Sequence, residues 1–134
     1  MNSVTKDVAE ILAGESSLGL IFATNLFNAR QPDSPDSCVT LYDLAGGAPQ
    51  LTFKKDTSDY FINGLLVRCR ENLYQDAVDS AQAILDYLHA FGKETWNGTE
   101  YMLIRAINTP QLLEWDEKDR AVVIVSYDVH RKPA

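Results

Sequence analysis

The sequence predicts an α+β fold, in which a largely antiparallel, mixed β-sheet carries two helices packed on one of its faces. The order of the predicted elements supports this class: one helix, three or four strands, a second helix and three further strands follow one another along the chain. The last strand is the clearest, because apolar side chains alternate along residues 121–129 and its first half is apolar on both faces. We therefore expect this strand to be central in the sheet for half its length.

Length and charge set the outer limits on function. The chain has 134 residues, 46% of them hydrophobic, which is enough to bury the core of a single domain spanning 1–134 without disulfides or a metal. Its 19 acidic and 12 basic residues give a net charge of −7, which argues against binding of a phosphate backbone as the main activity. No apolar run is long enough to cross a membrane and the N-terminus lacks the pattern of a secretion signal, so we expect no membrane contact.

The first 37 residues are predicted to form a helix, a strand and a loop. Ser3 is a suitable N-cap, and an apolar stripe of helical spacing stops at Gly14, which indicates a short first helix. Residues 18–27 are apolar and compatible with β-structure, so they are interpreted as a strand. Residues 28–37 combine prolines with short polar side chains, which favour turns over regular structure.

A hairpin is predicted to follow this loop. Residues 38–44 alternate between apolar and polar side chains, and Gly46-Gly47 offers a turn into a second strand at 50–54. The polar stretch 56–59 then interrupts the sheet. These features indicate two antiparallel strands before the strand predicted at 60–70.

The predicted strand at 60–70 places two arginines on one face. The pair Asn63-Gly64 indicates a bulge or bend within it. Alternation then points Arg68 and Arg70 away from the core, where they are free to reach an acidic neighbour. The core-facing residues of this strand are predicted to be Leu65, Val67 and Cys69.

A helix of about five turns is predicted directly after this strand. Asn72 is a suitable N-cap, Gln75 stands where it would complete a capping box, and Gly92 can take the left-handed closing position. Three- and four-residue spacing gives the helix one apolar stripe, formed by Tyr74, Ala77, Val78, Ala81, Ile84, Leu85 and Leu88. The opposite face meets water or a partner and carries Gln75, Asp76, Asp79, Gln82, Asp86 and His89.

The remaining residues are predicted to form two further hairpins. Asn97-Gly98 is a typical two-residue turn, and it joins strands at 94–96 and 99–107. The segment 110–115 leads into a charged turn at 116–120, which precedes the last strand. The acids of that turn alternate with Lys118 and Arg120, as in a solvated hairpin tip.

The residues that commonly carry chemistry are few and scattered. His89 and His130 belong to no recognisable triad, and neither a metal-binding spacing nor a phosphate-cradling glycine loop occurs. Cys38 and Cys69 lie in apolar strand patterns and are interpreted as reduced core residues. We therefore predict no catalytic residue, no metal, no cofactor and no enzyme activity.

Several segments together resemble the minor capsid and tail terminator proteins of long-tailed bacteriophages. They are the helix SVTKDVAEIL at 3–12, the Pro-rich loop before CVTLY at 38–42, the strand LVRCR at 66–70, the helix pattern YxxAxxxA at 74–81 and the turn LxWDEKDR at 113–120. The likeness spans nearly the whole chain. It consists of fold patterns and contains no catalytic signature.

The resemblance implies a mechanical function in the virion. Proteins of this family are similar α+β domains that form a ring, usually a hexamer, which caps the tail tube protein and joins it to the head–tail connector protein. It implies a homo-oligomer assembled in the host cytoplasm, with double-stranded DNA passing through its channel without specific binding. If the acidic residues line that channel, they repel the DNA from the wall.

Position within the predicted fold leads to a hypothesis for the subunit interface. Arg68 and Arg70 are predicted to meet the helix acids Asp76, Asp79 and Asp86 of a neighbouring subunit. The alternative is that these arginines only cover the sheet with their aliphatic stems. The 28–37 loop and the Gly46-Gly47 turn are predicted to contact the tube or connector, the alternative for the loop being disorder.

Two other functions remain open on sequence alone. One is a head–tail connector or stopper subunit in the same virion neck. The other is a small cytosolic binding module, a dimer with a ligand groove between helix and sheet.

Overall fold

The computed structural model describes residues 1–48 and 60–134. The helices are α1 (Val4–Ala13), a short 3-10 helix (Ser16–Leu18) and α2 (Tyr74–Leu88). The strands are β1 (Leu26–Asn28), β2 (Cys38–Leu44), β3 (Phe61–Glu71), β4 (Glu94–Trp96), β5 (Thr99–Ala106), β6 (Gln111–Trp115) and β7 (Ala121–Pro133). The strand predicted at 50–54 and the polar break at 56–59 lie outside the described residues.

The strands form one mixed sheet that is largely antiparallel. Its order is β1-β2-β3-β7-β5-β4, with β6 also paired to β7, and β1 runs parallel to β2. β3 lines one side of β7, while β6 lines the first part of its other side and β5 the last part. The last strand is therefore central over more of its length than the sequence predicts.

Both helices pack on the same face of this sheet, as predicted. Register places Val39, Cys69 and Val123 side by side on that face, and the alternate residues of each strand follow them. α1 covers β1 to β3, and α2 covers β3, β7 and β5. The core formed between helices and sheet includes Val8, Leu12, Leu41, Val67, Ala77, Ala81, Ile84, Leu88, Tyr101, Val125 and Tyr127.

The first helix begins and ends where the sequence predicts. The backbone N–H of Lys6 donates to Ser3 Oγ at 3.3 Å, and Gly14 closes the helix. Its first turn is fastened to the sheet, because Thr5 Oγ1 donates to Asp43 Oδ2 at 3.0 Å. Asp7 is fully buried, and it accepts hydrogen bonds from Tyr101 and from the Asn97 amide.

The predicted caps of α2 are wrong. Leu73 is the N-cap and makes no side-chain hydrogen bond, whereas Asn72 points its amide at Asp36. At the other end the left-handed residue is Ala90, with φ 68°. Gly92 has a different reason to be glycine: a Cβ there would lie 2.2 Å from the carbonyl oxygen of Met102 on β5. Close approach of two backbones therefore explains this glycine.

The strand predicted at 18–27 is also largely wrong, since only β1 at its end is formed. A side-chain-supported turn takes its place, because Asn25 Oδ1 accepts from the Ile21 N–H at 2.7 Å and Asn25 Nδ2 donates to the Gly19 carbonyl at 3.1 Å. Ala23 takes a positive φ of 66° within this turn. Local hydrogen bonding of an asparagine thus overrides an apolar, β-compatible pattern.

Of the two features predicted at Asn63-Gly64, a bulge or a bend, the bulge is not formed. β3 pairs with β7 in unbroken register through both residues. A Cβ at Gly64 would lie 2.7 Å from Cβ of Leu44 on β2, so glycine is needed there for close packing of the strands. The bulges of the sheet lie elsewhere, in β5 and β6.

Two smaller predictions, the Asn97-Gly98 turn and the burial of both cysteines, are confirmed. The β4–β5 turn has φ 49° at Asn97 and φ 75° at Gly98, as a two-residue hairpin turn requires. Cys38 and Cys69 are buried free thiols on neighbouring strands, and burial raises the pKa of the Cys69 thiol to about 12. Within residues 1–48 and 60–134, no helix has the length and apolar character needed to span a membrane.

Candidate assembly surfaces

The Pro-rich loop between β1 and β2 is held by a buried arginine. Arg120, only 4% exposed, ends the turn after β6. Its guanidinium donates to the Asp33 carbonyl at 2.6 Å and to Asp36 Oδ1 at 3.0 Å, and it pairs with Asp116 Oδ2 at 2.7 Å. Lys118 adds an ion pair with Asp33 at 2.5 Å. These contacts clamp the loop to the β6–β7 turn. The loop is therefore ordered, contrary to the alternative of a disordered loop.

The acids of that turn build the clamp. Asp116 Oδ1 accepts the backbone N–H groups of Lys118 and Arg120, each at 2.9 Å, which fixes the turn. Burial alone would raise the pKa of Asp116, but the hydrogen bonds from Arg120 outweigh burial and lower it. The pKa of Asp33 is lowered mainly by its hydrogen bond and charge interaction with Lys118.

The prediction that Arg70 projects freely is wrong. Arg70 is 2% exposed, and its guanidinium donates to the carbonyls of Pro35 at 2.6 Å and Asp36 at 3.1 Å. Alternation correctly places the residue on the face without helices, but the Pro-rich loop folds over that end of the sheet. Arg70 is thus a second fastening for the loop.

Arg68 remains accessible on the same face. Its side chain is 21% exposed, and its guanidinium lies 5.8 Å from the centre of the Tyr42 ring. One NH2 group reaches Glu114 at 3.5 Å, a long ion pair, and the Nε atom has no hydrogen-bond partner among the described residues. Because the Nε atom is buried, a carboxylate from another chain would have to reach Arg68 through its terminal nitrogens, one of which lies near Glu114.

The acids predicted to meet these arginines lie on the outer surface of α2. Asp76, Asp79 and Asp86 are all exposed. Gln75 donates to Asp79 at 2.9 Å and Gln82 donates to Asp86 at 2.8 Å, so two of the three make local bonds along the helix. Because α2 and Arg68 lie on opposite faces of the sheet, the structure does not bring these groups together within one chain.

The two histidines, His89 and His130, make local structural contacts. His89 Nδ1 accepts from the backbone N–H of Ala106 at 3.1 Å, next to the end of α2. His130 lies in β7, with its ring against Tyr60. In the part of the chain that the structure describes, no cluster of three metal-type ligands occurs.

Comparison with known proteins identifies the family of this chain. A family model described as "Bacteriophage tail terminator protein" matches residues 9–132, which is nearly the whole chain. The chain belongs to the bacteriophage tail terminator family. The resemblance found in the sequence is thereby confirmed, and this tail terminator is a structural component of a phage virion that assembles with other tail and head proteins.

A solved structure confirms the fold. A chain of the "Virion of native gene transfer agent (GTA) particle" matches the tail terminator with a TM-score of 0.68 at 12% sequence identity. The match covers 97% of this chain and 95% of that chain. At this identity the likeness establishes a shared fold. No curated protein matches the sequence.

The polar network that joins Arg120 to the Pro-rich loop was not predicted from the sequence. The composition of the charged turn predicts a solvated tip, whereas Arg120 is buried beneath the Pro-rich loop. The signal that would have found it is the loop composition, since Asp33 and Asp36 supply acids far in sequence from the two arginines that need partners. The loop and the turn each look solvated when taken alone.

Proposed function

We propose that this tail terminator forms a hexameric ring that caps the tail tube protein when the tail is complete and joins it to the head–tail connector protein. The family match over residues 9–132 carries this proposal. Assembly takes place in the host cytoplasm, and the ring becomes part of the neck of the virion. The subunit itself makes and breaks no covalent bond in this role.

A closed ring requires two different surfaces on each subunit. Such a heterologous contact closes by rotation, with one surface of each copy meeting the other surface of the next. As these two surfaces we propose the helix-free face, which carries Arg68, and the outer face of α2, which carries the exposed acids Asp76, Asp79 and Asp86. Arg68 is the cation we propose for this contact, because Arg70 is already bound within its own chain.

We propose that the Pro-rich loop, which is held in place within the subunit, contacts the tube or connector. A loop that is already ordered loses little conformational entropy when it binds. Arg70 and Arg120 fix the segment around Asp33 and Asp36 through the hydrogen bonds described above. Gly46-Gly47 is the second candidate, and it runs against β3, where the Gly47 N–H donates to the Ile62 carbonyl at 2.9 Å.

The net charge of −7 per chain bears on DNA passage. If acidic side chains line the bore, double-stranded DNA is repelled from the wall and slides through without specific binding. A ring structure with a positively charged or neutral channel would remove this part of the proposal.

An add-back experiment tests the proposed function. Particles are produced without this chain, and their tails and heads are purified separately. We expect the purified protein to complete tails, so that pre-incubated tails join heads while pre-incubated heads do not gain the ability to join untreated tails. Completion of heads instead of tails would assign the chain to the connector or stopper and contradict a terminator role.

A further inference from the structure

Asp7, a buried carboxylate on α1, is surrounded by hydrogen-bond donors. It accepts from the Tyr101 hydroxyl, from the Asn97 amide at 2.9 Å and from the Asn2 amide at 3.1 Å. The contacts with Tyr101 and Asn97 join α1 to the β4–β5 hairpin. Because a buried carboxylate is costly unless donors satisfy its oxygens, these hydrogen bonds stabilise the packing of α1 on the sheet.

The Asn97 amide also contacts a second acid of α1. Its Nδ2 atom donates to Glu10 Oε2 at 2.6 Å, and the Trp96 indole N–H donates to the same oxygen at 2.8 Å. Hydrogen bonds from Trp96 and Asn97 lower the pKa of Glu10, so this acid is ionised at neutral pH. An –NH2 group has two N–H bonds to offer, which suits a position between the carboxylates of Asp7 and Glu10.

The residue that follows Asn97 makes this amide chemically reactive. In an Asn-Gly sequence the backbone nitrogen of the glycine can attack the side-chain amide carbon of the asparagine. A bond then forms between Gly98 N and Asn97 Cγ, and the Cγ–Nδ2 bond breaks. The Nδ2 nitrogen takes up the Gly98 amide proton and leaves as ammonia. Water opens the resulting succinimide ring, which gives aspartate or isoaspartate at residue 97.

The structure leaves the β4–β5 turn open to this reaction. Asn97 and Gly98 are both exposed, and the Gly98 N–H makes no hydrogen bond to any residue that the structure describes. A Cβ at Gly98 would meet no atom within 4 Å, so there is space beside the attacking nitrogen. β4 has three residues and pairs only with β5 in the described sheet. A short edge hairpin of this kind opens locally more readily than the central strands, which frees the Asn97 amide from the two acids.

The chain contains a second Asn-Gly sequence in a very different setting. Asn63-Gly64 lies inside β3, which pairs with β2 on one side and with β7 on the other. Asn63 Oδ1 accepts from Arg131 Nε at 2.7 Å. Gly64 is buried, and a Cβ there would lie 2.7 Å from Cβ of Leu44. Because β3 is hydrogen-bonded on both sides, this pair cannot react unless the centre of the sheet opens.

We propose that Asn97 is a site of spontaneous deamidation and that the product releases α1 from the β4–β5 hairpin. The carboxylate formed at residue 97 cannot donate to Asp7 or Glu10. It also places a further acid beside these two, and like charges at this distance repel. Asp7 stays buried with one donor fewer, which destabilises the contact between helix and hairpin. The reaction needs only water, so it proceeds in the isolated protein.

Ageing of the purified protein tests the chemistry. The full chain is incubated at mildly alkaline pH, digested and analysed by mass spectrometry, which detects replacement of –NH2 by –OH. We expect the peptide with Asn97 to convert progressively to aspartate and isoaspartate, while the peptide with Asn63 stays unchanged. In guanidinium chloride, where the chain is unfolded, both peptides should convert. An unchanged Asn97 in the folded protein, or equal conversion of Asn63 and Asn97 there, would overturn the proposal.

Two variants test the consequence for α1. Asn97→Asp has the side chain of one product, whereas Asn97→Gly keeps the positive φ but has neither amide nor charge and cannot deamidate. Asn97→Asp should unfold at a lower urea concentration than Asn97→Gly. On ageing, the midpoint of the unmodified chain should move toward that of Asn97→Asp, and the midpoint of Asn97→Gly should stay constant.

Hydrogen exchange measured by mass spectrometry locates the effect. After conversion of Asn97, the amides of α1 should lose protection, while those of α2 should keep it. Fully converted protein with unchanged exchange in α1, or with equal loss of protection in both helices, would overturn the release of α1.

Discussion

Arg120 and Asp116 form a 2.7 Å ion pair inside the β6–β7 turn, and the same guanidinium reaches the Pro-rich loop at Asp33 and Asp36. One buried side chain thus joins two irregular segments that are more than eighty residues apart in sequence. The loop owes its shape to this clamp, together with Arg70. The surface proposed to meet the tube or connector is therefore built in the isolated subunit.

Replacing Arg120 should destabilise the protein. Arg120→Ala leaves the Asp116 carboxylate, the Asp33 carbonyl and the Asp36 carboxylate without this donor, at a cost of about 2–3 kcal/mol in the free energy of unfolding. Arg120→Lys keeps the charge but loses the planar fork, so its loss should be smaller. Urea unfolding of the three proteins measures the difference. Equal midpoints for Arg120→Ala and the unmodified chain would show that the clamp contributes nothing.

Acidification should release the same clamp. The pKa values of Asp116 and Asp33 are both lowered from their ordinary value of 3.8. A lowered folded-state pKa contributes stability above the unfolded-state value, and that contribution is lost as pH falls through the folded value. The unmodified chain should therefore lose stability below about pH 4, and Arg120→Ala should lose less over the same interval. Unfolding curves at several pH values measure this difference. If the free energy of unfolding falls equally with pH in both proteins, the prediction is wrong.

Residues 90 and 92 should respond in opposite directions to exchange of glycine and alanine. Ala90→Gly relieves a positive φ of 68° and should raise stability by about 1 kcal/mol. Gly92→Ala forces a Cβ toward the Met102 carbonyl and should lower stability by about 1–3 kcal/mol. Thermal unfolding measures both. A stable Gly92→Ala variant would show that β5 approaches this segment less closely than the structure indicates.

Charge reversal tests the contact proposed between faces. Arg68→Glu and Asp79→Lys should each weaken assembly, because each places like charges together, and the two variants mixed should assemble better than either alone. Ring formation on tails, measured by co-sedimentation, is the readout. Assembly of Arg68→Glu at the unmodified level would remove Arg68 from the interface.

The regular elements were predictable because their side chains obey simple periods. Side chains in β2, β3 and β7 alternate clearly between the two faces of the sheet. The sequence of α1 contains both capping residues, and Asn97-Gly98 is a typical hairpin turn. The one-face packing of the helices followed from the order of these elements. Both α+β class and family could therefore be reached from sequence.

The rest depended on partners distant in sequence. Residues 18–27 look like a strand until the Asn25 side chain is seen to hold a turn. Arg70 follows the predicted alternation, yet the loop that buries it arrives from Pro35 and Asp36. Gly64 and Gly92 are fixed by backbones on other strands. A local sequence pattern does not show which distant segments of the chain will lie close to these residues.

Imaging of the virion neck shows where the tail terminator is located. Particles are assembled with this chain carrying a small peptide label, and the label is located by cryo-electron microscopy with subtomogram averaging. We expect a single ring of labelled density at the head-proximal end of the tail, between tube and connector. Label along the tail shaft or on the head shell, or complete particles without label, would contradict it.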